Sequence, residues 1–340
     1  GFGNILIAEG SWVGDKTAEA FEYCGYRELC ERYDVPFEDT QKDRYHSVDC
    51  AGVKLNICDV AGRIDFMINV PVLKGHCQTK ITCALKNMKG LIPNTEKRRF
   101  HKMGLHRPIA HLSKGIRQDF IVVDHICGDL DFEEGGNPVT RNCIMAAMDP
   151  VLVDSYVCRL LQYDVDEVPY IRMAEKLGSG CADLQKAEII LLDKNGSRSA
   201  SISCEGTSPY CGSDDVKDTD TAIRQRSAAD VPDEALPRER RILQVSYAVD
   251  EVDSCSACYG SLVPALYRLK EEGLLDYLTE KIAIGQGHQG KRGMAGIGKC
   301  TSGFDFCIMG CPPDEDKIYR ELKEYLEARR DKARETASGT

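Results

Sequence analysis

Lys281-Ile-Ala-Ile-Gly-Gln-Gly-His-Gln-Gly290 and Phe304-Asp-Phe-Cys-Ile-Met-Gly-Cys-Pro-Pro313 decide how the last part of this chain folds. Each is a short aliphatic run that breaks into glycine or proline, the pattern of a buried strand rather than a helix. Ile242–Val249 is an earlier run of the same kind. Helical stretches at Leu262–Glu272 and Asp314–Arg329 follow the first and the last of the three runs. Strands separated by helix and long loop predict a small three-strand α/β unit over residues 241–330, with a polar tail at 331–340.

That topology gathers cysteine. Cys255 and Cys258 follow the first strand and open a helix, Cys300 ends the glycine-rich loop Gly285–Lys299, and Cys311 follows the third strand. Parallel strands release their loops at one edge, so these four thiols are expected to converge there. Helix N-termini and loop N–H groups at such an edge favour thiolates and bound sulfide. Cys307 sits inside its strand and is expected to point into packing, so it is held in reserve.

The spacing selects the metal. Structural zinc favours two closely spaced cysteine pairs, whereas this region has one Cys-x-x-Cys and two cysteines set apart among glycines. Cys311-Pro312 also resembles the Cys-Pro step of bacterial ferredoxin cluster motifs. The expected cofactor is a [4Fe-4S] cluster on Cys255, Cys258, Cys300 and Cys311, with zinc and unligated thiols as the alternatives. Gly285-Gln-Gly-His-Gln-Gly290 matches the GxGxxG spacing of dinucleotide sites. More glycine and a cysteine stand where the helix should follow. Gly285 and Gly287 are kept as candidate cofactor-binding positions.

Towards the N-terminus, Ile5–Ala8, Phe66–Val70, Phe120–Asp124 and Ile189–Leu192 read as buried strands. Between them Thr17–Tyr33, Thr79–Lys86, Ile109–Ile116 and Pro150–Leu161 read as helices. The alternation predicts a mainly parallel sheet with helices on both faces over residues 1–196. Residues 197–240, rich in Ser, Asp, Thr and Pro, read as a polar linker or excursion carrying Cys204 and Cys211. At 340 residues, two domains are the expectation.

Composition narrows the function. The chain is 42% hydrophobic and 29% charged, as in ordinary globular proteins. No apolar run approaches the roughly 20 residues of a membrane helix, so no membrane partner is expected. Seventeen cysteines, an odd number, include several within apolar runs such as Cys58, Cys83 and Cys158. These are expected to be buried thiols in the reducing cytoplasm rather than a disulfide framework. The absence of an initial Met before Gly1 suggests a chain that begins within a longer product.

A formal net charge of −10 argues against nucleic acid as a partner. It hides a cationic segment, Pro71–Gln118, with eleven lysines and arginines against Glu96 alone. Within it, Lys74 and His76 come off the end of a strand, and Lys86, Asn87 and Lys89 follow a predicted helix. Strand ends are where α/β proteins collect ligands, and a helix N-terminus at Thr79 would add positive potential. Lys74, His76, Lys86 and Asn87 are therefore candidate catalytic groups and Lys89 a candidate cofactor-binding group. The expected ligand is an anionic small molecule or cofactor, with His76 as a proton donor beside a lysine of lowered pKa. A solvated basic face is the alternative. Arg98, Arg99, Lys102 and Arg107 read as surface or docking residues, and Asp124 and Asp154 as caps with a secondary chance of reaching the crevice.

Val70-Pro-Val-Leu-Lys-Gly-His76, Leu85-Lys-Asn-Met-Lys-Gly90, Asp124 and Met148-Asp-Pro-Val-Leu-Val-Asp154 resemble the domain-of-unknown-function family 362, over roughly residues 3–192. Members of that family are often joined to iron–sulfur modules, so the resemblance implies a cluster partner for this region. The chain departs from the family pattern by lacking its opening strand–helix unit and a two-cluster ferredoxin repeat. The cluster ligands are therefore not carried over from it. The combined expectation is a cytoplasmic iron–sulfur protein in redox metabolism, exchanging electrons with a redox partner protein. A non-enzymatic protein with a structural cluster, and a lyase or isomerase using an open iron site, are the alternatives.

Overall fold

The computed structural model describes residues 3–132, 138–193, 195–203 and 241–338. Cys204, Cys211 and most of the expected linker lie outside the described residues.

The N-terminal part is a mosaic of small sheets. β1 (Ile7–Glu9) pairs in parallel with β2 (Phe37–Asp39), while α1 (Thr17–Tyr23) and α2 (Tyr26–Tyr33) connect them. One long helix was expected over Thr17–Tyr33. Gly25 breaks it by taking a φ of +77°. β3 (Tyr45–Cys50) and β4 (Val53–Cys58) form an antiparallel hairpin. Its two-residue turn, Ala51-Gly52, has positive φ at both positions, the conformation that matches strand twist.

The pair β5 (Ile68–Asn69) is followed by a second hairpin, β6 (Lys74–His76) with β7 (Lys80–Thr82). A short helix α3 (Ala84–Asn87) then leads into α4 (Asn94–Lys102) and α5 (His106–Gly115). β8 (Phe120–Asp129) runs parallel to β5 and antiparallel to β9 (Pro138–Ala147). Helices α6 (Pro150–Leu160) and α7 (Pro169–Lys176) follow, and β10 (Glu188–Leu192) pairs antiparallel with β11 (Arg198–Ser203). β11 occupies the opening of the stretch expected to be linker.

The fold is thus mixed α/β, and the expected mainly parallel sheet is not formed in this part. A parallel neighbour needs a crossover of a dozen or more residues. Two- and three-residue connections, at Ala51-Gly52 and at Cys77–Thr79, close antiparallel hairpins instead. The expected helix Thr79–Lys86 is corrected for the same reason. Its first half, with the β-branched Ile81 and Thr82, returns against β6 as a strand, and helix begins only at Ala84.

The C-terminal part keeps its expected topology and adds to it. Ile242–Val249 begins as helix α8 (Arg241–Val245), and the strand β12 (Val249–Glu251) comes later. α9 (Ser256–Glu271) starts immediately after Cys255. β13 (Ile282–Ile284), β14 (Ala295–Ile297) and β15 (Phe306–Ile308) complete a four-stranded sheet in chain order, every neighbour parallel. β14 lies inside the expected glycine-rich loop. α10 (Glu315–Ser338) continues through the expected tail.

Two hydrophobic cores result. One is built around Leu55, Ile81, Leu85, Phe100, Ile109, Ile121 and Tyr170. The other is built around Leu262, Leu266, Ile282, Ile297, Ile308 and Leu322, and it takes in Cys77 and Phe132 from the N-terminal part. Two residues from one half thus plug the core of the other.

Candidate functional site

The hairpin β6–β7 and helix α3 bring the sequence-predicted basic residues together. Lys74, His76, Lys86, Asn87 and Lys89 all face one cavity of about 360 Å³. Residues not among the candidate site groups complete its wall. Glu9 and Trp12 enter from the β1 end, and Lys97, Arg98 and His101 from α4. Arg98, expected at the surface, is exposed and also borders this cavity. The opposite wall carries Cys255, Cys258 and Cys311. The basic crevice and the cysteine edge, argued separately from the sequence, share one cavity.

The basic wall is held from behind. Asp154 is fully buried, and its carboxylate accepts the Ala84 N–H at 2.7 Å and the Leu85 N–H at 3.2 Å. It caps α3 from inside the core, so this N-terminus faces the core and adds no potential to the cavity. Burial pushes the Asp154 carboxyl up to about 7, against the lowering effect of those two backbone donors. Asn69 is also buried. Its amide donates to Ala84 O and Gln118 Oε1, and its oxygen accepts the Asn87 side-chain amide at 2.7 Å. Asn87 is thereby positioned by the core while facing the cavity. Lys86 Nζ donates to Thr82 Oγ1 at 3.1 Å. Asp124 is elsewhere engaged, its Oδ1 accepting the Ile126 N–H at 2.9 Å beside a strand irregularity.

His76 has a fixed tautomer. Its Nδ1 accepts the backbone N–H groups of Gln78 at 3.0 Å and Thr79 at 3.1 Å, which leaves the ring proton on Nε2. Burial, then Lys86, Lys89 and Lys74, hold its pKa well below the usual value. A neutral imidazole with so low a pKa is a hydrogen-bond donor rather than the proton source expected from the sequence. His101 is likewise neutral, lowered to about 3 by burial and by Lys89 and Lys86.

Lys97 is the lysine of lowered pKa. It is buried, its Nζ donates to Ser11 O at 2.7 Å and Gly10 O at 3.2 Å, and burial brings it down to about 8. Glu9 beside it opposes that shift. Nothing in the local spacing around Lys97 marks it, because its partners come from 86 residues earlier in the chain.

The cysteine wall rests on the parallel sheet. Cys255 occupies the N-cap position of α9 and Cys258 its first turn. The loops carrying Cys300 and Cys311 are stitched together, since the Lys299 N–H donates to Gly310 O at 2.9 Å. Gly298 sits in the loop beside Cys258 with room to spare. A Cβ there would stand 3.7 Å from Cys258 Sγ, and its φ of +87° suits glycine.

Electrostatics joins the four thiols. Burial raises the Cys258 thiol to about 12, with further upward pushes from Cys255, Cys311 and Cys300. Cys255 is raised by burial, then by Cys300 and Cys311, while Arg98 and Lys89 across the cavity pull it down. Cys307 lies against Thr301 Oγ1 at 3.5 Å and Gly298 O at 3.6 Å. Among the described residues, no three His, Cys, Asp or Glu side chains close round a point as a single metal ion requires. Four cysteine thiols are the donor set that an iron–sulfur cluster would take. All fifteen described cysteines are free of disulfides.

Gly285 and Gly287 do not line the cavity. They allow the loop to press on the turn before Cys255. A Cβ at Gly285 would stand 2.0 Å from Val252 O, and one at Gly287 2.2 Å from Val252 Cγ1. The two walls are tied by Gln78. Its amide nitrogen donates to Ser254 O at 3.2 Å and Ser254 Oγ at 3.0 Å, and its oxygen accepts from Ser256 Oγ at 2.8 Å.

No helix among the described residues is long and apolar enough to cross a membrane. No solved structure matches the chain. A curated relative, the "Thylakoid-associated protein sll1697" of Synechocystis, is 26% identical over 165 residues, 45% of this chain and 50% of its own length. The chain thus matches about half of that relative. Residues 1–159, which carry β1, both hairpins and the whole basic wall of the cavity, match the family described as domain of unknown function (DUF362).

Proposed function

We propose that this chain is a cytoplasmic iron–sulfur protein that exchanges single electrons between a redox partner protein and an anionic ligand in the basic cavity. The observation that carries the reading is the shared cavity, with lysines on one wall and Cys255, Cys258 and Cys311 on the other. Cys255, Cys258, Cys300 and Cys311 would hold a [4Fe-4S] cluster, which supplies one-electron transfer when bound.

The rest is work for the chain's own side chains. Lys74, Lys86, Lys89 and Arg98 attract and orient the anion. They outnumber Glu9, and a partly closed cavity strengthens their field relative to open water. The neutral His76 directs Nε2–H rather than a proton. Lys97, poised near neutral pH, is the group suited to give or take a proton as the ligand's charge changes. Trp12, half exposed on the same wall, offers an apolar ring face, so a ligand with a planar portion and acidic groups fits best.

The chain carries a single tryptophan, and it lines this cavity. Its fluorescence therefore reports occupancy directly. Anaerobic loading with iron and sulfide should give a four-iron cluster with a reversible reduction signal in electron paramagnetic resonance. Titration with pyrophosphate should change Trp12 emission saturably, with affinity at least tenfold weaker in Lys86→Met/Lys89→Met. Protein that takes up no iron under these conditions, or Trp12 emission indifferent to pyrophosphate, overturns the reading.

A further inference from the structure

The motif Gly285-Gln-Gly-His-Gln-Gly290 has the spacing of a nucleotide site, lacks its helix, and does not line the cavity. Its two glutamines point to sulfur. The Gln286 side-chain amide donates to Cys255 Sγ at 3.8 Å, and the Gln289 amide donates to Cys300 Sγ at 3.6 Å. These are distances at which N–H groups bond sulfur. Both acceptors belong to the set of four thiols described above.

The loop holds these amides in place. Gly287 N–H donates to Val252 O at 3.0 Å and Gln286 N–H to Asp253 O at 3.1 Å, so the loop lies along the segment between β12 and Cys255. His288 is buried, and its Nε2 meets Asp250 O at 3.1 Å. The glycines at 285 and 287 permit that approach, as no side chain fits against Val252 there. The loop is pinned at three successive residues, 286 to 288; Gln286 is half-buried, and Gln289 just beyond them is exposed.

We infer that Gln286 and Gln289 are positioning residues that donate hydrogen bonds to two cluster-bearing thiolates and thereby set the reduction potential; the inference rests on the cluster reading proposed above. When one electron from a donor such as dithionite enters the oxidised cluster, no bond breaks and the negative charge shared with the thiolates rises by one. N–H donors aimed at those sulfurs stabilise the reduced form more than the oxidised form, which raises the potential. The motif is then a sulfur clasp in the guise of a phosphate loop.

The test uses the full chain loaded anaerobically with iron and sulfide, in wild type, Gln286→Leu, Gln289→Leu and the double variant. Iron and sulfide content measures loading, and a dithionite titration followed by electron paramagnetic resonance gives the potential. Each single variant should load as wild type does. Each should lower the potential by about 59 mV, the equivalent of a tenfold change in the reduced-to-oxidised ratio for one electron, with a larger fall in the double variant. A second measurement needs no variant. In wild type with 15N in its glutamine side-chain amides, the reduced cluster should show hyperfine coupling to that nitrogen. Loaded variants at the wild-type potential, or labelled wild type without the coupling, overturn the inference while leaving the cluster reading intact. Wild-type protein that binds no iron overturns both.

Discussion

Strands of equal length are used in two ways in this chain. β12 to β15 have three residues each and stand side by side in parallel. β6 and β7 also have three residues each, but they return on each other as a hairpin. The parallel arrangement sends every loop out at the same edge, so Cys255, Cys300 and Cys311, far apart in sequence, become neighbours. The hairpin presents residues close in sequence, Lys74, His76 and Thr82. It must recruit the rest of its wall by packing, from the β1 end and from α4. One half of the site is therefore assembled by topology and the other by core packing, and the two should fail differently when altered.

The sharpest break is at the sulfur edge. Cys300→Ala should abolish retention of iron and sulfide on anaerobic loading, whereas Cys307→Ala should keep it, because Cys307 lies one strand residue away from the edge. The reverse pattern would mean that parallel topology does not select the ligands.

The basic wall should respond instead through stability. Asp154→Ala leaves the Ala84 and Leu85 N–H groups without their buried acceptor and should cost about 3 kcal/mol in denaturant unfolding. The pH dependence has a definite sign. The folded carboxyl titrates near 7, above an unfolded value of about 4, so the folded state holds the proton more tightly. Its contribution is greatest below about pH 4 and is lost as pH rises towards 7. The variant should lack that slope. A wild-type stability that climbs through this window on account of Asp154 would contradict the packing argument.

The smallest effect belongs to Lys97. Its folded pKa of about 8 lies below the ordinary 10.5, so above pH 8 the folded chain has shed a proton that the unfolded chain still carries. Lys97 therefore makes stability rise with pH between about 8 and 10.5. Anion affinity should move the other way, weakening roughly fivefold, about 1 kcal/mol, as the cation is lost through pH 8. Lys97→Met should flatten both profiles, read by chemical unfolding and by Trp12 emission.

The same contrast explains what could be read from the sequence. The cysteine edge was legible because strand, loop and cysteine recur in order, and parallel pairing does the rest. β14 escaped notice, since Ala295-Gly-Ile297 carries one large apolar residue and sits among glycines. In the N-terminal part, Lys74, His76, Lys86, Asn87 and Lys89 were legible from their spacing. The antiparallel hairpins were not, because runs of three residues do not distinguish a returning strand from the first turn of a helix. Glu9, Trp12 and Lys97 were invisible for another reason. Their neighbours are fixed only once the chain has packed. Gly285 and Gly287, candidate cofactor-binding positions from their spacing, lie against Val252 and outside the cavity.

Gln78 spans the seam between the two constructions, its backbone N–H on the His76 ring and its side chain on Ser254 and Ser256, while His101 bonds the Ser254 backbone. Whatever tightens the turn at Cys255 also tightens the floor beneath the lysines. If both sides bind as proposed, free energy gained by occupancy on one would be felt on the other, and by reciprocity the same factor would operate in both directions. On the proposed reading such a protein would gauge its own maturation: before its sulfurs are occupied it would grip its anion loosely, and an anion already in place would draw the sulfurs into readiness.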